Sequence, residues 1–164
     1  MSPYRPDVVE CWIFRIAPGD RLEILLIRRA PGRIFPGLWQ CVTGRLEPDE
    51  NAPLAALREV TEETGFGPAD IEAAYDLDQT ADFYDDDADA LMSSVLFAVQ
   101  VRPDAEPVLS HEHDGARWAE PDDALRLAVW PSYRESIERI RTQLRDPDLE
   151  PWFRLGPDGR RLRR

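Results

Sequence analysis

The sequence contains no lysine, and all 20 of its basic residues are arginines. Aspartate and glutamate together number 32, which gives the 164-residue chain a formal net charge of −12. A surface of this sign repels DNA, RNA and anionic membranes, because their phosphates carry the same charge. We therefore expect no nucleic acid polymer and no membrane as a partner. A small anion can bind only where local arginines or a bound cation reverse the charge.

Cysteine and long apolar runs are also scarce. The two cysteines, Cys11 and Cys41, form no C-x-x-C motif, and we interpret both as small buried thiols. No apolar run approaches the roughly 20 residues that span a bilayer. The opening "MSPYRPD" has neither a basic start nor an apolar stretch after it. These shortages lead us to expect a reduced, cytoplasmic protein.

Runs rich in β-branched and aromatic residues alternate with turn signals and helical patterns. They predict strands over residues 8–16, 21–29, 38–44, 70–84, 91–101 and 115–120. Helical spacing covers residues 51–64 and 131–145, and a further helix starts at "PDDALRL". The length suits one compact domain. We predict a single α/β domain over residues 1–150 with helices against a mixed sheet, followed by a C-terminal tail over residues 151–164. Its segment "LGPDGRRLRR" is expected to be mobile and basic.

Acidic residues crowd the last turns of the helix predicted over residues 51–64. At 100° per residue, Glu59, Glu62 and Glu63 fall on one face. The opposite face carries an apolar stripe of Leu54, Leu57, Val60 and Thr64. Like charges three and four residues apart destabilise a helix, and acids at its C-terminal end oppose the dipole. A hard divalent cation would reverse both penalties; a solvated acidic face is the alternative.

The segment "GRLEPDENAPLAALREVTEETGF" (residues 44–66) has the pattern G-x5-E-x7-R-E-U-x-E-E-x-G-U, where U is apolar. Its fixed positions are Gly44, Glu50, Arg58, Glu59, Val60, Glu62, Glu63, Gly65 and Phe66. The segment resembles the signature of the Nudix hydrolases. Nine matches at fixed spacing are far more specific than a lone glycine motif. The resemblance implies an α/β/α sandwich with a mixed β-sheet between helices.

The resemblance also implies a divalent-metal site around a diphosphate. In that family the principal metal ligands correspond to Glu59 and Glu63, with Glu62 assisting. The backbone carbonyl of Gly44 often joins them. We therefore expect Mg²⁺ as the cofactor, with Mn²⁺ as a possible substitute.

The resemblance also implies that Glu50 and Arg58 form a supporting pair, which would orient the acidic helix. An ordinary surface ion pair is the alternative for Arg58. Two positions depart from the common family pattern, since Thr43 and Asp49 stand where many members have glycine. Aspartate tolerates a left-handed backbone better than most residues, so we expect the turn to survive.

Cleavage of a phosphoric anhydride by water needs a carboxylate that accepts a proton. In the family this base is a glutamate of the signature or one from a later loop. The later candidate is Glu112 in "LSHEHDGARW", just before a predicted strand, as base or additional metal ligand; an exposed loop acid is the alternative. The flanking His111 and His113 lack a third zinc ligand nearby, and we interpret them as loop histidines near the site.

Four residues outside the signature are candidates for binding the substrate. Arg28 and Arg29 end the second predicted strand and could meet a phosphate; surface arginines are the alternative. Phe35 and Trp39 could stack on a base or pterin, although aromatic residues at such spacing also build cores.

The strand "WQCVTG" ahead of the signature resembles the W-Q-x-V-T-G of the bacterial dihydroneopterin triphosphate pyrophosphatase subgroup. This resemblance implies a nucleoside or pterin triphosphate that is cleaved to monophosphate and pyrophosphate. The alternatives are dinucleoside polyphosphate or nucleotide-sugar hydrolysis, and a non-catalytic nucleotide-sensing module. The expected partner is a nucleotide or pterin polyphosphate, and the expected assembly is a monomer or homodimer.

Overall fold

Eight strands and four helices are found in residues 4–163, the part of the chain that the structure, a computed structural model, describes. Residues 1–3 of the opening "MSPYRPD" lie outside this part. The strands are β1 (Val8–Ala17), β2 (Arg21–Arg29), β3 (Trp39–Gln40), β4 (Val42–Arg45), β5 (Ile71–Asp85), β6 (Ala90–Val101), β7 (His113–Ala119) and β8 (Arg154–Leu155). The helices are α1 (Ala52–Thr64), α2 (Pro121–Leu127), α3 (Pro131–Thr142) and α4 (Glu150–Phe153).

The strands form one mixed sheet with β1 near its centre. The main order is β3-β2-β1-β6-β5-β8, with β4 pairing on β1 and β7 on β2. Only the β1–β6 pairing is parallel among the pairs of the described strands. β4 pairs with the first half of β1 and β2 with the second half. The sheet therefore forks, and the fork brings β4 beside α1.

Helices cover both faces of this sheet, which confirms the predicted α/β/α arrangement. Because side chains alternate along a strand, β1 contributes to two cores. The core on the α1 side includes Val9, Cys11, Ile13, Leu25, Ile27, Val60, Phe66, Phe97 and Val99. The core on the α3 side includes Trp12, Phe14, Ile24, Leu26, Cys41, Tyr75, Leu77, Ile137 and Ile140. Burial on both faces explains the nearly continuous apolar run of β1.

Two of the predicted strands differ from the structure by more than a shift of one residue at an end. The strand expected over residues 38–44 is divided at Cys41, because β3 pairs with β2 whereas β4 pairs with β1. β7 starts at His113, two residues earlier than predicted, because a register shift beside Arg29 extends its pairing. No helix of the described part is long and apolar enough to cross a membrane.

The C-terminal residues were expected to be mobile, and this expectation is wrong for the paired part. β8 pairs with β5, and Arg161 lies 2.9 Å from Asp76. A Cβ atom on Gly159 would lie 2.9 Å from Pro53, so this segment packs closely on the start of α1. Whether a domain ends at residue 150 stays a prediction.

Candidate active site

Helix α1 is delimited by the predicted residues. The Asn51 side chain accepts a hydrogen bond from the Leu54 amide at 3.1 Å, and Pro53 lies in the first turn. Gly65 ends the helix in the left-handed conformation, with φ of 73°, and its amide donates to the Thr61 carbonyl. These residue types are favoured at such positions, so the helix is placed by local chemistry.

The acidic face of α1 does not point uniformly to solvent. Glu62 is exposed, but only 5% of Glu63 is accessible. Glu63 lies seven residues after Ala56 and three after Val60, so it shares their buried stripe. Leu54, expected in the apolar stripe, is 39% exposed. The prediction that all three carboxylates face away from the core is therefore wrong for Glu63.

Gly44 allows β4 to approach the helix closely. A Cβ atom at this position would lie 2.0 Å from the Glu59 carboxyl carbon. Any side chain here would displace Glu59, so the chain needs glycine for contact rather than for an unusual φ angle. The preceding turn is also kept, because Asp49 adopts φ of 63° where many relatives of this pattern carry glycine.

The pair of Glu50 and Arg58 forms as predicted. The Arg58 Nε and Nη2 atoms donate to the two Glu50 carboxylate oxygens at 2.9 and 3.0 Å. The same guanidinium donates to Glu59 at 2.7 Å and to Glu62 at 3.3 Å. Hydrogen bonding to Arg58 lowers the pKa of Glu50. Arg58 therefore ties the loop before α1 to two of its acids.

Glu63 is the most strongly perturbed acid of the site. Burial, together with the charges of Glu59 and Glu112, raises its pKa to about 8. Burial is also the main cause that raises the pKa of Glu59. The Glu63 Oε2 atom has no hydrogen-bond partner in the structure. A buried oxygen without a donor is unusual and is expected where a ligand is to be bound.

His113 was interpreted as a loop histidine near the site, and this is wrong for its place in the fold, since it is the first residue of β7 and is buried. Its Nε2 atom lies 3.8 Å from Glu63 Oε2 and 3.4 Å from Gln40 Nε2. Arg29 Nη1 in turn donates to Gln40 Oε1 at 3.5 Å. Burial lowers the pKa of His113, which favours the neutral ring. The residues "HDGA" at the start of β7 show no apolar alternation, so no sequence pattern indicated that His113 is internal.

Glu112 lies immediately before β7, as predicted, and its side chain contacts Arg33. The Arg33 Nη2 and Glu112 Oε1 atoms are 3.4 Å apart. Arg33 was not among the predicted site residues, because a single arginine in a glycine- and proline-rich loop has no pattern to reveal it. Glu112 influences Glu59 and Glu63 electrostatically, so it belongs to the same acidic neighbourhood.

The predicted arginines have specific partners. Arg28 donates to Asp114 at 2.7 Å and lies over the Trp39 ring at 5.6 Å. Arg29 donates to the Ile34 carbonyl and to Gln40. The two therefore support the loop between β2 and β3 and the strand β7.

The predicted aromatic residues have different environments. Phe35 is 56% exposed, adopts φ of 55° and packs edge to face with Trp130, with ring centroids 5.6 Å apart. Trp39 is partly buried against the α3-side core. Phe35 and Trp130 thus form an exposed aromatic pair, of which the sequence analysis proposed only Phe35.

A second buried acid lies on β1, within the run "VVECWIFRI". Glu10 is 7% exposed, and its carboxylate accepts hydrogen bonds from Ser94 Oγ at 2.8 Å and from Cys41 Sγ at 3.8 Å. Burial raises its pKa. The sequence analysis missed Glu10, although a single charge in a buried strand was the available signal.

The donor set fits a hard divalent cation in its chemistry. It consists of carboxylates and a backbone carbonyl, and one buried oxygen lacks a donor. In residues 4–163, however, no three acidic, histidine or cysteine side chains are already arranged as a metal-ligand group. Arg58 holds Glu59 and Arg33 holds Glu112. These two carboxylates would have to turn toward a cation.

Comparison with protein families provides the decisive observation. The NUDIX domain model matches residues 6–140. The chain belongs to the Nudix family. This match confirms the resemblance that the signature suggested, and the helices on both faces of a mixed sheet are its Nudix fold.

Curated relatives of this Nudix chain carry several names. It is 38% identical over 123 residues to a Myxococcus xanthus protein named octanoyltransferase, covering 74% of this chain but only 33% of that protein. The chain therefore spans one third of that relative. It is 32% identical over 111 residues to the Escherichia coli CTP pyrophosphohydrolase, covering 67% of this chain and 76% of the relative.

Solved structures support the same fold. A Caenorhabditis elegans Ap4A hydrolase matches with a TM-score of 0.71 at 20% identity, over 85% of this chain and 98% of that one. The E. coli dihydroneopterin triphosphate pyrophosphohydrolase matches with a TM-score of 0.62 at 25% identity, over 80% and 92%. The match to the NUDIX domain model indicates a hydrolase of phosphoric anhydride bonds, and the solved structures add the fold.

Proposed function

We propose that this Nudix protein is a Mg²⁺-dependent pyrophosphohydrolase that cleaves a nucleoside or pterin triphosphate to monophosphate and pyrophosphate. The observation that carries the proposal is Glu63, whose buried Oε2 lacks a donor and whose pKa is raised by burial and by neighbouring acids. Without a cation these surroundings favour the protonated acid, and a bound cation would favour the carboxylate. The "WQCVTG" segment and the CTP pyrophosphohydrolase relative favour a triphosphate substrate.

In this proposal Glu59, Glu62, Glu63 and the Gly44 carbonyl would hold the cation. The cation would supply charge neutralisation at the phosphate oxygens. Arg58, fixed by Glu50, would keep the C-terminal turn of α1 in the orientation that presents these oxygens.

Glu112 is the proposed proton acceptor for the attacking water, or an additional ligand of the cation. A water oxygen bonds to phosphorus while the bridging P–O bond on the other side breaks. The proton of the water passes to the carboxylate, and pyrophosphate leaves. Phe35 would stack on the base or pterin, and Trp39 would support Arg28 beside it.

The test is a product-resolved screen with Mg²⁺. Dihydroneopterin triphosphate, normal and oxidised (deoxy)nucleoside triphosphates, dinucleoside polyphosphates and nucleotide sugars are each incubated with enzyme. Products are quantified with a pyrophosphatase-coupled arm and a phosphatase-coupled arm. Pyrophosphate from a triphosphate, absent with Glu63→Gln and retained with Glu138→Gln on α3, supports the proposal. No turnover by the wild type, with tight nucleotide binding, would instead support a non-catalytic sensor.

A dinucleoside polyphosphatase is the second candidate. One curated relative, 29% identical over 116 residues, is a C. elegans bis(5'-nucleosyl)-tetraphosphatase, and its coverage is 71% of this chain and 80% of that protein. The "VTG" before the signature argues mildly against this function, since many such enzymes carry P-x-G-G there. Faster release of nucleoside triphosphate from a dinucleoside tetraphosphate than of pyrophosphate from any triphosphate would favour it. Cytoplasmic location and a monomeric or homodimeric state stay predictions.

A further inference from the structure

Arg33 is an arginine outside α1 whose side chain contacts the carboxylate of Glu112. Its Nη2 atom lies 3.4 Å from Glu112 Oε1, whereas Arg28 and Arg29 are engaged by Asp114 and Gln40. About one third of the Arg33 side chain and two fifths of the Glu112 side chain are exposed. Ion pairs with this much exposure are weak, so another charge can replace either partner.

The loop backbone around Arg33 is fastened independently of this ion pair. The Ala30 amide donates to the Glu112 carbonyl at 2.9 Å, and the Gly37 amide donates to the Arg29 carbonyl at 2.9 Å. Phe35 packs on Trp130 at the loop tip. The Arg33 guanidinium can therefore exchange partners by side-chain rotation alone.

A bound cation and a substrate phosphate would each change the ion pair between Arg33 and Glu112. The cation would attract Glu112, and the phosphate would bind Arg33. A cation beside Glu59 and Glu63 attracts Glu112, since the charge of Glu112 already acts on both acids. Once Glu112 turns, the Arg33 guanidinium is left beside the site with no counter-charge. A phosphate group is the anion that would then meet it, and arginine binds phosphate through several donors at once.

We propose that Arg33 exchanges between two anions, holding Glu112 in the free protein and contacting a substrate phosphate when Glu112 turns to the cation. The inference rests on the proposed function and adds a phosphate-binding and positioning residue to it. It predicts that one residue opposes cation binding in the free protein yet favours nucleotide binding in the loaded protein. A purely structural arginine would not show opposite signs in these two measurements.

The experiment compares Arg33→Ala with Arg126→Ala, which removes an exposed arginine paired with Asp123 on α2. Mn²⁺ affinity without nucleotide is measured by electron paramagnetic resonance. We expect Arg33→Ala to bind Mn²⁺ about two- to fivefold more tightly, the range that an exposed ion pair spans. Affinity for an α,β-methylene nucleoside triphosphate with Mg²⁺ is measured by calorimetry, and we expect it to fall about tenfold, the effect of one charge-assisted hydrogen bond.

A double variant assigns the first effect to Glu112. In the Glu112→Gln background, Arg33→Ala should leave Mn²⁺ affinity unchanged, because the competition is already removed. Arg33→Lys should restore most of the nucleotide affinity, and Arg126→Ala should resemble the wild type in both assays.

Several outcomes would overturn the inference. Unchanged or weaker Mn²⁺ binding by a folded Arg33→Ala variant excludes the competition, and unchanged nucleotide affinity excludes the phosphate contact. If the wild type hydrolyses a triphosphate and Arg33→Ala is silent in both binding assays, only the assignment of Arg33 fails. If the wild type binds neither Mn²⁺ nor nucleotide, the proposed function fails as well.

Discussion

The two long helices of this protein, α1 and α3, carry charges of opposite sign in their last turns. The last turn of α3 carries Arg139 and Arg141, where basic residues complement the helix dipole. Each has an acidic partner one turn earlier, with Glu135 at 2.7 Å from Arg139 and Glu138 at 2.6 Å from Arg141. The charges of α3 thus stabilise the helix as it stands.

The last turn of α1 carries Glu62 and Glu63 and no basic residue. The charge of Glu59 adds to the burial that raises the pKa of Glu63, and only Arg58 offsets the charge within the helix. Both helices begin with proline in the first turn and pack on the same sheet. The two helices therefore differ in how their charges are compensated. The charges of α3 are compensated within the helix, whereas the acids of α1 are suited to binding a cation.

The substitution Glu63→Gln is the strongest test of the difference between α1 and α3, because it removes one acid from the last turn of α1. We expect at least about a 100-fold loss of turnover, because the removed charge would stabilise the transition state through the cation. The fold should persist. The melting temperature without metal should rise near neutral pH, because glutamine is spared the proton uptake on folding that the raised pKa of Glu63, about 8, requires. Steady-state kinetics and thermal melts with and without Mg²⁺ check both expectations.

Its control is Glu138→Gln on α3, which should change neither turnover nor the Mg²⁺ response. Mg²⁺ should raise the melting temperature of the wild type and of Glu138→Gln, but much less that of Glu63→Gln. Full activity in a Glu63→Gln variant would remove Glu63 from the proposed ligands.

Gly44→Ala tests the close approach of β4 to α1. The added methyl group would meet Glu59 at 2.0 Å, so the carboxylate must move. Displacement of a catalytic group by about 1 Å costs up to about 100-fold in rate. The matched control is Gly67→Ala, where a Cβ atom meets nothing within 4 Å. Equal activity of the two variants would show that the position of Glu59 is unimportant.

Arg58→Ala tests whether the guanidinium orients the acids of α1 or forms only an ordinary surface ion pair. We expect about a tenfold loss of activity and of Mn²⁺ affinity, the usual range for residues that orient metal ligands. Glu50→Gln should cost a similar amount, and the double variant little more, because the two act as one unit. Additive losses in this double-mutant cycle would contradict the orienting role.

Glu10→Gln extends the comparison to an acid away from α1. Burial raises the pKa of Glu10 above its ordinary value of 4.5, so the folded protein holds this proton more tightly than the unfolded chain does. The stability that it contributes is full below about pH 4.5 and declines as pH rises toward the folded value. Glutamine cannot titrate, so the decline as pH rises above about 4.5 should be smaller in the variant.

Chemical denaturation across this pH range measures the slope, and Glu72→Gln at an exposed position of β5 is the control. A slope identical in the wild type and Glu10→Gln would mean that Glu10 titrates normally.

The parts that the sequence predicted well are those fixed by local spacing. Helix α1 follows from Asn51, Pro53 and Gly65 because caps act over three or four residues. The link between Glu50 and Arg58 was predictable only through the family resemblance. The burial of Glu63 was misjudged, because the sheet selects which stripe of a helix is covered, and the long side chain of Leu54 suggested the wrong one.

Contacts between distant segments were beyond the reach of the sequence. Arg33 and Glu112 are 79 positions apart, and they meet because β2 and β7 are neighbours. Gln40 and His113 meet for the same reason. The pairing of β2 with β7 depends on tertiary structure, so the periodicity of either segment does not predict it.

The C-terminal segment gives the proposed active site a dependence on a remote part of the polypeptide. Tyr75 on β5 donates to Glu150 at 2.7 Å, β8 pairs on that same strand, and Gly159 packs on Pro53 at the start of α1. A chain shortened at residue 150 for expression would lose the support under the first turn of its most important helix. Protein made that way could keep every residue of the signature and still report the wrong catalytic rate.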